Sequence, residues 1–254
     1  MKLFLLCSFI FPSLVFGASS FQELNWYSEV YPPYNFLDKD GTPDGIAVEL
    51  LSATLVHLGS KKTKKDIKIV PWARGYRKAQ KKGKLNSIFS TTRTKDRENL
   101  FKWIGPISKT TISIIGYDTF EELKKEDLIK YKYAVIRDDI GENLLKKLGI
   151  PEKNLIRVAS IEQMLKLIRD KKGKKKADFM AYEQSVATYE AKKLGFDVDE
   201  YPAVYTLKEG ELWYAINKSV EDKDIVTYQK ALNAVKKKPS VRKSLWKKFR
   251  FKPY

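Results

Sequence analysis

Short apolar runs alternate with longer segments of helical period along most of this chain, and that alternation confines it to an α/β architecture. Leu24 to Ser28 reads as a strand, and the Tyr31-Pro32-Pro33-Tyr34 segment after it is barred from helix by its prolines. Asp38 to Asp44 holds two Asp/Gly turn signals. A helix is expected over 46–58, where Ile46, Leu50, Leu51, Leu55 and Leu58 make an apolar stripe. Ile67 to Val70 is a second strand, Arg74 to Lys82 a short helix ended near Gly83, and Asn86 to Phe89 a third strand. This order implies a largely parallel sheet with helices on both faces.

A second set of the same kind follows. Thr111 to Tyr117 is a strand long enough to pass from one set to the next. Lys132 to Ile136, Leu155 to Val158 and Asp178 to Ala181 are then strands, interleaved with helices at Glu142 to Leu148, Ile161 to Arg169 and Glu183 to Leu194. The chain returns through a strand at Leu212 to Ile216 and ends in two helical segments, Ile225 to Lys237 and Val241 to Phe249. Two such sets joined by crossings leave a cleft between lobes of ~100–120 residues each. Loops at the carboxyl ends of parallel strands are where such sheets bind ligands. Here those loops are Ser28 to Phe36, Pro71 to Arg74, Ser90 to Arg97, Arg137 to Gly141 and Ala181 to Glu183.

Composition narrows the chemistry. Lys2 followed by the apolar run Leu3 to Phe16 and the small residues Gly17 to Ser20 has the form of a signal peptide cleaved after Gly17. The run is short for a bilayer span, which needs ~20 apolar residues. Cys7, the one cysteine, falls inside it, so the mature chain is expected to lack disulfides, thiol nucleophiles and cysteine metal sites. His57 is the one histidine and sits in an apolar helix, which excludes a histidine triad and a multi-histidine metal site. The formal charge of +18 comes from lysines scattered over loops and helix ends without interleaved aromatics. That pattern is a solvated basic surface rather than a nucleic-acid face. Lys171 to Lys176 reads as a basic connector.

The cleft loops carry candidate ligand groups. Arg97, in Arg93-Thr94-Lys95-Asp96-Arg97-Glu98, is placed to meet a carboxylate in two parallel hydrogen bonds; the competing reading is a surface pair with Asp96 or Glu98. Hydrogen bonds to charged groups contribute ~1.5–3 kcal/mol each, a sizeable share of the ~8 kcal/mol of micromolar binding. Arg93 and Arg74 are further cations near the same mouth, and engagement of either would favour a dicarboxylate; otherwise they are helix-end or surface arginines. Tyr31, Tyr34 and Trp72 are candidate stacking walls. Glu183 opens a helix, where a carboxylate also benefits from the helix N-terminus, and Asp138 and Asp139 are alternative partners for an ammonium group. Neighbouring carboxylates such as Glu121/Glu122 do not face one another, and no phosphate-cradling glycine loop is present.

Three segments, in order, resemble family 3 of the bacterial solute-binding proteins, the periplasmic receptors of polar amino-acid ABC importers. They are Tyr31 to Phe36 with Asp40-Gly41 and Gly45 to Leu50; Asn86-Ser87-Ile88 through Arg97 to Phe101 and Pro106; and Arg242 to Phe249. The resemblance spans nearly the whole mature chain. It implies that Arg97 clamps a ligand carboxylate, flanked by Ser90 and Thr92. Tyr31 and Trp72 would cover the ligand, and Glu183 would hold its ammonium. The sequence departs from the family pattern at Asp138-Asp139-Ile140-Gly141, where a Gly-Thr turn is common. It departs again at Phe89, where many members have serine, and at Ala47, where an acid is usual.

The fold expected from this resemblance is α/β, the two-lobed type II periplasmic-binding-protein fold, with a signal peptide at 1–17, lobe one at 18–110, lobe two at 111–205 and a return to lobe one at 206–254. The function it implies is capture of a small amino-acid-like or carboxylate ligand by hinge closure, with delivery to a membrane ABC permease. Alternatives are a ligand-sensing module acting on a membrane receptor, or a dehydratase-like enzyme on the same scaffold. Ligand-binding candidates are Arg97, Thr92, Ser90, Trp72, Tyr31, Glu183, Arg74 and Asp139. We expect a periplasmic monomer without enzymatic activity, cofactor, metal or nucleic-acid partner.

Overall fold

A computed structural model describes residues 22–169 and 176–249. The expected signal peptide and nearly all of the Lys171–Lys176 connector lie outside the described residues. Among the described residues, ten strands and eight α-helices are arranged around one eight-stranded sheet.

The first α/β set holds β1 (Asn25–Ser28), the short hairpin β2 (Phe36–Leu37) and β3 (Pro43–Asp44), α1 (Ile46–His57), β4 (Lys68–Ile69), α2 (Trp72–Gln80) and β5 (Asn86–Thr92). A single turn, α3 (Lys95–Glu98), leads into the long strand β6 (Lys102–Ile115). The second set holds β7 (Tyr133–Ile136), α4 (Ile140–Lys147), β8 (Leu155–Val158), α5 (Ile161–Ile168), β9 (Phe179–Glu183) and α6 (Gln184–Lys193). A second long strand, β10 (Ala203–Ile216), leads to α7 (Asp222–Lys237) and α8 (Pro239–Phe249).

Strand order is β4-β1-β5-β10-β6-β9-β7-β8. The outer pairs are parallel: β1 with β4 and β5, and β7 with β8 and β9. The centre is antiparallel, because β6 and β10 run against each other from Lys102↔Ile216 to Ala203↔Ile115. The carboxyl end of β10 pairs with β5, and the carboxyl end of β6 pairs with β9. These two strands therefore carry the chain between the sets in both directions.

The crossing strand starts well before the expected Thr111. Gly105-Pro106 looks like a breaker, since proline cannot donate to a ladder. The structure accommodates it at an irregularity: Ile104 faces Tyr214 and Ser108 faces Leu212, so four residues of β6 span what two cover in β10. The Gln229 side chain on α7 completes the bonding there, accepting from Gly105 N (2.9 Å) and donating to Gly105 O (2.8 Å).

Packing also modifies the expected stripe on α1. Ile46, Ala47, Val48, Leu50, Leu51, Thr54 and Leu55 are all buried, because α7 and α8 cover the side away from the sheet. An aromatic cluster of Trp26, Phe89, Tyr214 and Tyr228 fills the centre of the first set, with Trp26 5.5 Å from Tyr228 and Phe89 5.7 Å from Tyr214. Phe89 is thus a core residue. His57 ends α1 exposed, its Nδ1 3.2 Å from Lys238 Nζ. Among the described residues no helix is long and apolar enough to cross a membrane.

Gln229→Ala removes both bonds to the Gly105 peptide group, which water replaces only in part. We predict a loss of about 1–2 kcal/mol in stability, seen as a lower urea midpoint at unchanged slope. An unchanged midpoint would show that the irregularity in β6 does not need its side-chain brace.

Candidate functional site

The site lies where the carboxyl ends of β1, β5 and β7 and the start of α2 meet. Arg97, on α3, is only 3% exposed. Its Nη1 donates to Thr92 O (3.3 Å) and its Nη2 to Asp138 O (3.2 Å). The guanidinium carbon sits 5.3 Å from the Trp72 ring centroid and 5.2 Å from that of Tyr76, and those two rings stack. Aromatic faces thus hold the cation where water would otherwise solvate it. Two of the five guanidinium N–H groups go to these carbonyls, which leaves three donors for a carboxylate.

Arg97 does not form the surface pair considered for it. That role falls to Arg93, whose Nε and Nη2 bond Glu98 at 2.8 and 2.5 Å, with its guanidinium 4.6 Å from the Trp213 ring centroid. Arg74 is exposed and faces a different cavity from the one reaching Arg97. Neither arginine stands beside Arg97, so the case for a second anionic group on the ligand loses its residues.

Asp138 O joins the two α/β sets. It accepts from Arg97, from Trp72 Nε1 (3.0 Å) and from Asn143 Nδ2 (3.4 Å). The residue has φ +60°, a left-handed conformation that Asp tolerates better than most side chains and that turns its carbonyl towards these donors. Next to it, Asp139 caps α4 and accepts from Gly141 N at 3.5 Å. Gly141 must stay small, since a Cβ there would lie 2.2 Å from Ala181 O. This close approach accounts for the departure from the usual turn: the glycine is placed to let α4 press against β9.

Ser90 and Thr92 belong to β5 rather than to a loop. Ser90 has φ +56° at an irregularity in the β5–β10 ladder, and its hydroxyl donates to Asn35 Oδ1. Asn35 is fully buried and donates in turn to Glu29 O at 2.6 Å. Tyr31 packs edge-on against Tyr182, with centroids 5.5 Å apart, and lies 5.8 Å from Tyr34. Glu183 ends β9 and caps α6, accepting from Val186 N at 2.7 Å. Its carboxylate is thus largely committed to backbone N–H groups.

The residue that the sequence reading passed over is Glu29. It directly follows β1, is 7% exposed, and lies near enough to Asp139 and Arg97 to sense both charges. Burial raises its carboxyl well above the usual range, the Asp139 charge raises it further, and Arg97 opposes both. Burial likewise raises Asp139, against Arg97 and the N–H groups of Ile140 and Gly141. Glu183 is raised by burial and held back by its cap bonds. Tyr182 is fully buried beside these acids, and its hydroxyl has no hydrogen-bond partner among the described residues. Glu29 and Asp139 are thus buried carboxyls within reach of one guanidinium, with the Glu183 carboxyl and the orphaned Tyr182 hydroxyl close to them.

The sequence matches the profile of bacterial extracellular solute-binding proteins, family 3, over residues 26–244. No curated protein matches it. Among solved structures, a histidine kinase sensor domain with similarity to periplasmic binding proteins superposes with a TM-score of 0.75 at 19% identity, covering 89% of this chain and 95% of that one. The arginine-, lysine-, histidine-binding protein ArtJ from the thermophilic bacterium Geobacillus stearothermophilus gives 0.75 at 16% identity, covering 91% and 96%. An ancestral arginine-binding protein bound to glutamine gives 0.71 at 22%, covering 89% and 97%. At these identities the structural likeness establishes the fold: a periplasmic-binding-protein-like α/β fold of type II.

The buried acids give a pH dependence with a definite sign. Unfolded Glu and Asp release their protons near pH ~4. In the folded chain Glu29, Asp139 and Glu183 hold theirs to higher pH. Stability of the empty protein should therefore fall as pH rises from the unfolded values through the folded ones. We expect a lower melting temperature at about pH 8 than at about pH 5, and expect Glu29→Gln to raise the higher-pH value and flatten the slope. If Glu29→Gln lowers stability at both pH values, the carboxyl is better compensated than its surroundings indicate.

Proposed function

The chain belongs to family 3 of the bacterial extracellular solute-binding proteins, and on that premise we propose that it captures a small amino-acid-like ligand by closure of two lobes. The lobes are 18–110 with 206–254, and 111–205, and β6 and β10 serve as the hinge. The ligand carboxylate pairs with Arg97 and its cationic group lies among Glu29, Asp139 and the Tyr182 hydroxyl, with Tyr31 and Trp72 as walls. The observation that carries this reading is the buried Arg97 guanidinium, held by two backbone carbonyls and two aromatic rings with three N–H groups to spare, close to the buried acids Glu29 and Asp139. A ligand's ammonium or guanidinium group pairs with those acids. The Arg97 and Trp72 bonds to Asp138 O supply the contact between lobes in the shut form. Two solved relatives that bind arginine or other basic amino acids support the same polarity of ligand.

Delivery to a membrane ABC permease from the periplasm is the role that family membership favours. A second reading, presentation of the closed form to a signalling receptor, is supported by the sensor-domain relative. Recovery of permease or receptor subunits from membrane extract on the immobilised, ligand-loaded protein separates the two.

The ligand test is a thermal-shift panel on protein stripped of ligand by unfolding and refolding. Ligand at 100 times its Kd stabilises by about 2.7 kcal/mol. We expect basic or neutral amino acids to raise the melting temperature, dicarboxylates to do so less, and Arg97→Ala to abolish the shift. A dicarboxylate as the best ligand would reverse the charge assignment, and a normal shift in Arg97→Ala would remove Arg97 from the site.

A further inference from the structure

Beside Trp72, a cavity of about 580 Å³ is lined by Arg74, Arg77, Arg137 and Arg157. Only nine of the chain's 49 Lys and Arg residues are arginines, yet four arginines and no lysine line this space. A generally basic surface does not account for that selection. Arg74 and Arg77 lie three residues apart on α2, where side chains project from neighbouring positions of one face. Arg137 follows the carboxyl end of β7, and Arg157 lies on the adjacent parallel strand β8. The two pairs therefore come from different α/β sets and face one another across the seam.

Their charges are unevenly compensated. Arg157 is bonded to Glu142 at 2.5 Å and to Glu152. Arg74, Arg77 and Arg137 are exposed and make no side-chain hydrogen bond, ion pair or ring contact among the described residues. Pro71, Trp72 and Ala73 also line the cavity, which puts the first turn of α2 at its edge. Gln163 on α5, which accepts from Ala159 N at 2.9 Å, closes another side. Three uncompensated guanidinium forks converge on one recess, next to a helix start and the carboxyl ends of parallel strands. Guanidinium forks match the paired oxygens of phosphates and carboxylates better than ammonium groups do.

We infer that this cavity binds a small multivalent oxyanion, of the pyrophosphate or polycarboxylate class, at a site separate from that of Arg97. The anion bridges α2 to β7 and β8 and relieves the repulsion among three gathered cations. The recess shares no lining residue with the cavity that reaches Arg97.

Calorimetric titration with pyrophosphate and, separately, with citrate tests this at constant ionic strength. The unsubstituted protein should show one saturable site, and the stronger of the two probes identifies the anion class. The double variant Arg77→Ala/Arg137→Ala should bind at least about tenfold more weakly, since each lost contact is a charge-assisted one. A control of equal charge change on the exposed lysines, Lys237→Ala/Lys243→Ala, should bind within about twofold of the unsubstituted protein. Absence of saturable binding to either probe overturns the inference. So does an equal loss in the arginine and lysine variants, which would assign the affinity to net charge.

Discussion

The burial of one guanidinium beside more acid than it can neutralise is the condition on which the site depends. Arg97 is held by two backbone carbonyls and two aromatic faces, so its position does not rely on a carboxylate partner. Had Glu29 or Asp139 formed a close bidentate pair with it, the guanidinium would be spent and a ligand would have to break that pair. Instead both acids sense its charge while burial works against their ionisation. Polar groups withdrawn from water without full compensation are costly to the empty protein. On the proposed function, a ligand that brings a cation to the acids and an anion to the arginine relieves that cost, so affinity and empty-state stability oppose one another through the same side chains.

That arrangement needs residues far apart in sequence to be held firmly, and the long β6–β10 pair provides for it. Each strand is anchored in one parallel set and continues into the other, so the sets are linked by a ladder rather than by loose linkers. Register irregularities along the ladder let it bend without leaving backbone groups unpaired, as the Gln229 brace at Gly105 shows. The Asp138 carbonyl closes the opposite side of the seam with bonds from Trp72 and Arg97. In the proposed closure of the two lobes, those bonds form and break while the ladder persists.

Most elements were legible because their signals are local. The helices α1, α5 and α7 and the strands β7 and β8 follow hydrophobic period and fall within a few residues of expectation. Local signals misled where a tertiary partner replaced them. Gly105-Pro106 looks like a strand end until Gln229 is brought against it, and α1 looks one-sided until α7 and α8 cover its second face. At the site, the structure sets Arg97 against Trp72, and Tyr31 and Asp139 lie near Glu29. Glu29 did not stand out, since a lone acid after a strand has no pattern of its own. The signal available was its position at the carboxyl end of β1. Its significance comes from Asp139, more than a hundred residues later, which no period connects to it. Arg74 shows the opposite failure: it adjoins Trp72, but it is exposed and lines a different cavity from the one reaching Arg97.

Trp72 thus serves two neighbours. Its ring supports the buried Arg97 guanidinium, and it also borders the recess lined by four arginines. Its indole N–H meanwhile bonds the carbonyl that links the two sets. An aromatic ring suits this position because it is apolar enough to be buried, and its face accepts a cation. The indole edge also donates a hydrogen bond, which phenylalanine lacks. Tyrosine would place its donor at the ring tip instead of the flank that meets Asp138. The demand for all three properties in one side chain explains why tryptophan sits at the opening of α2, immediately after a proline that fixes its approach.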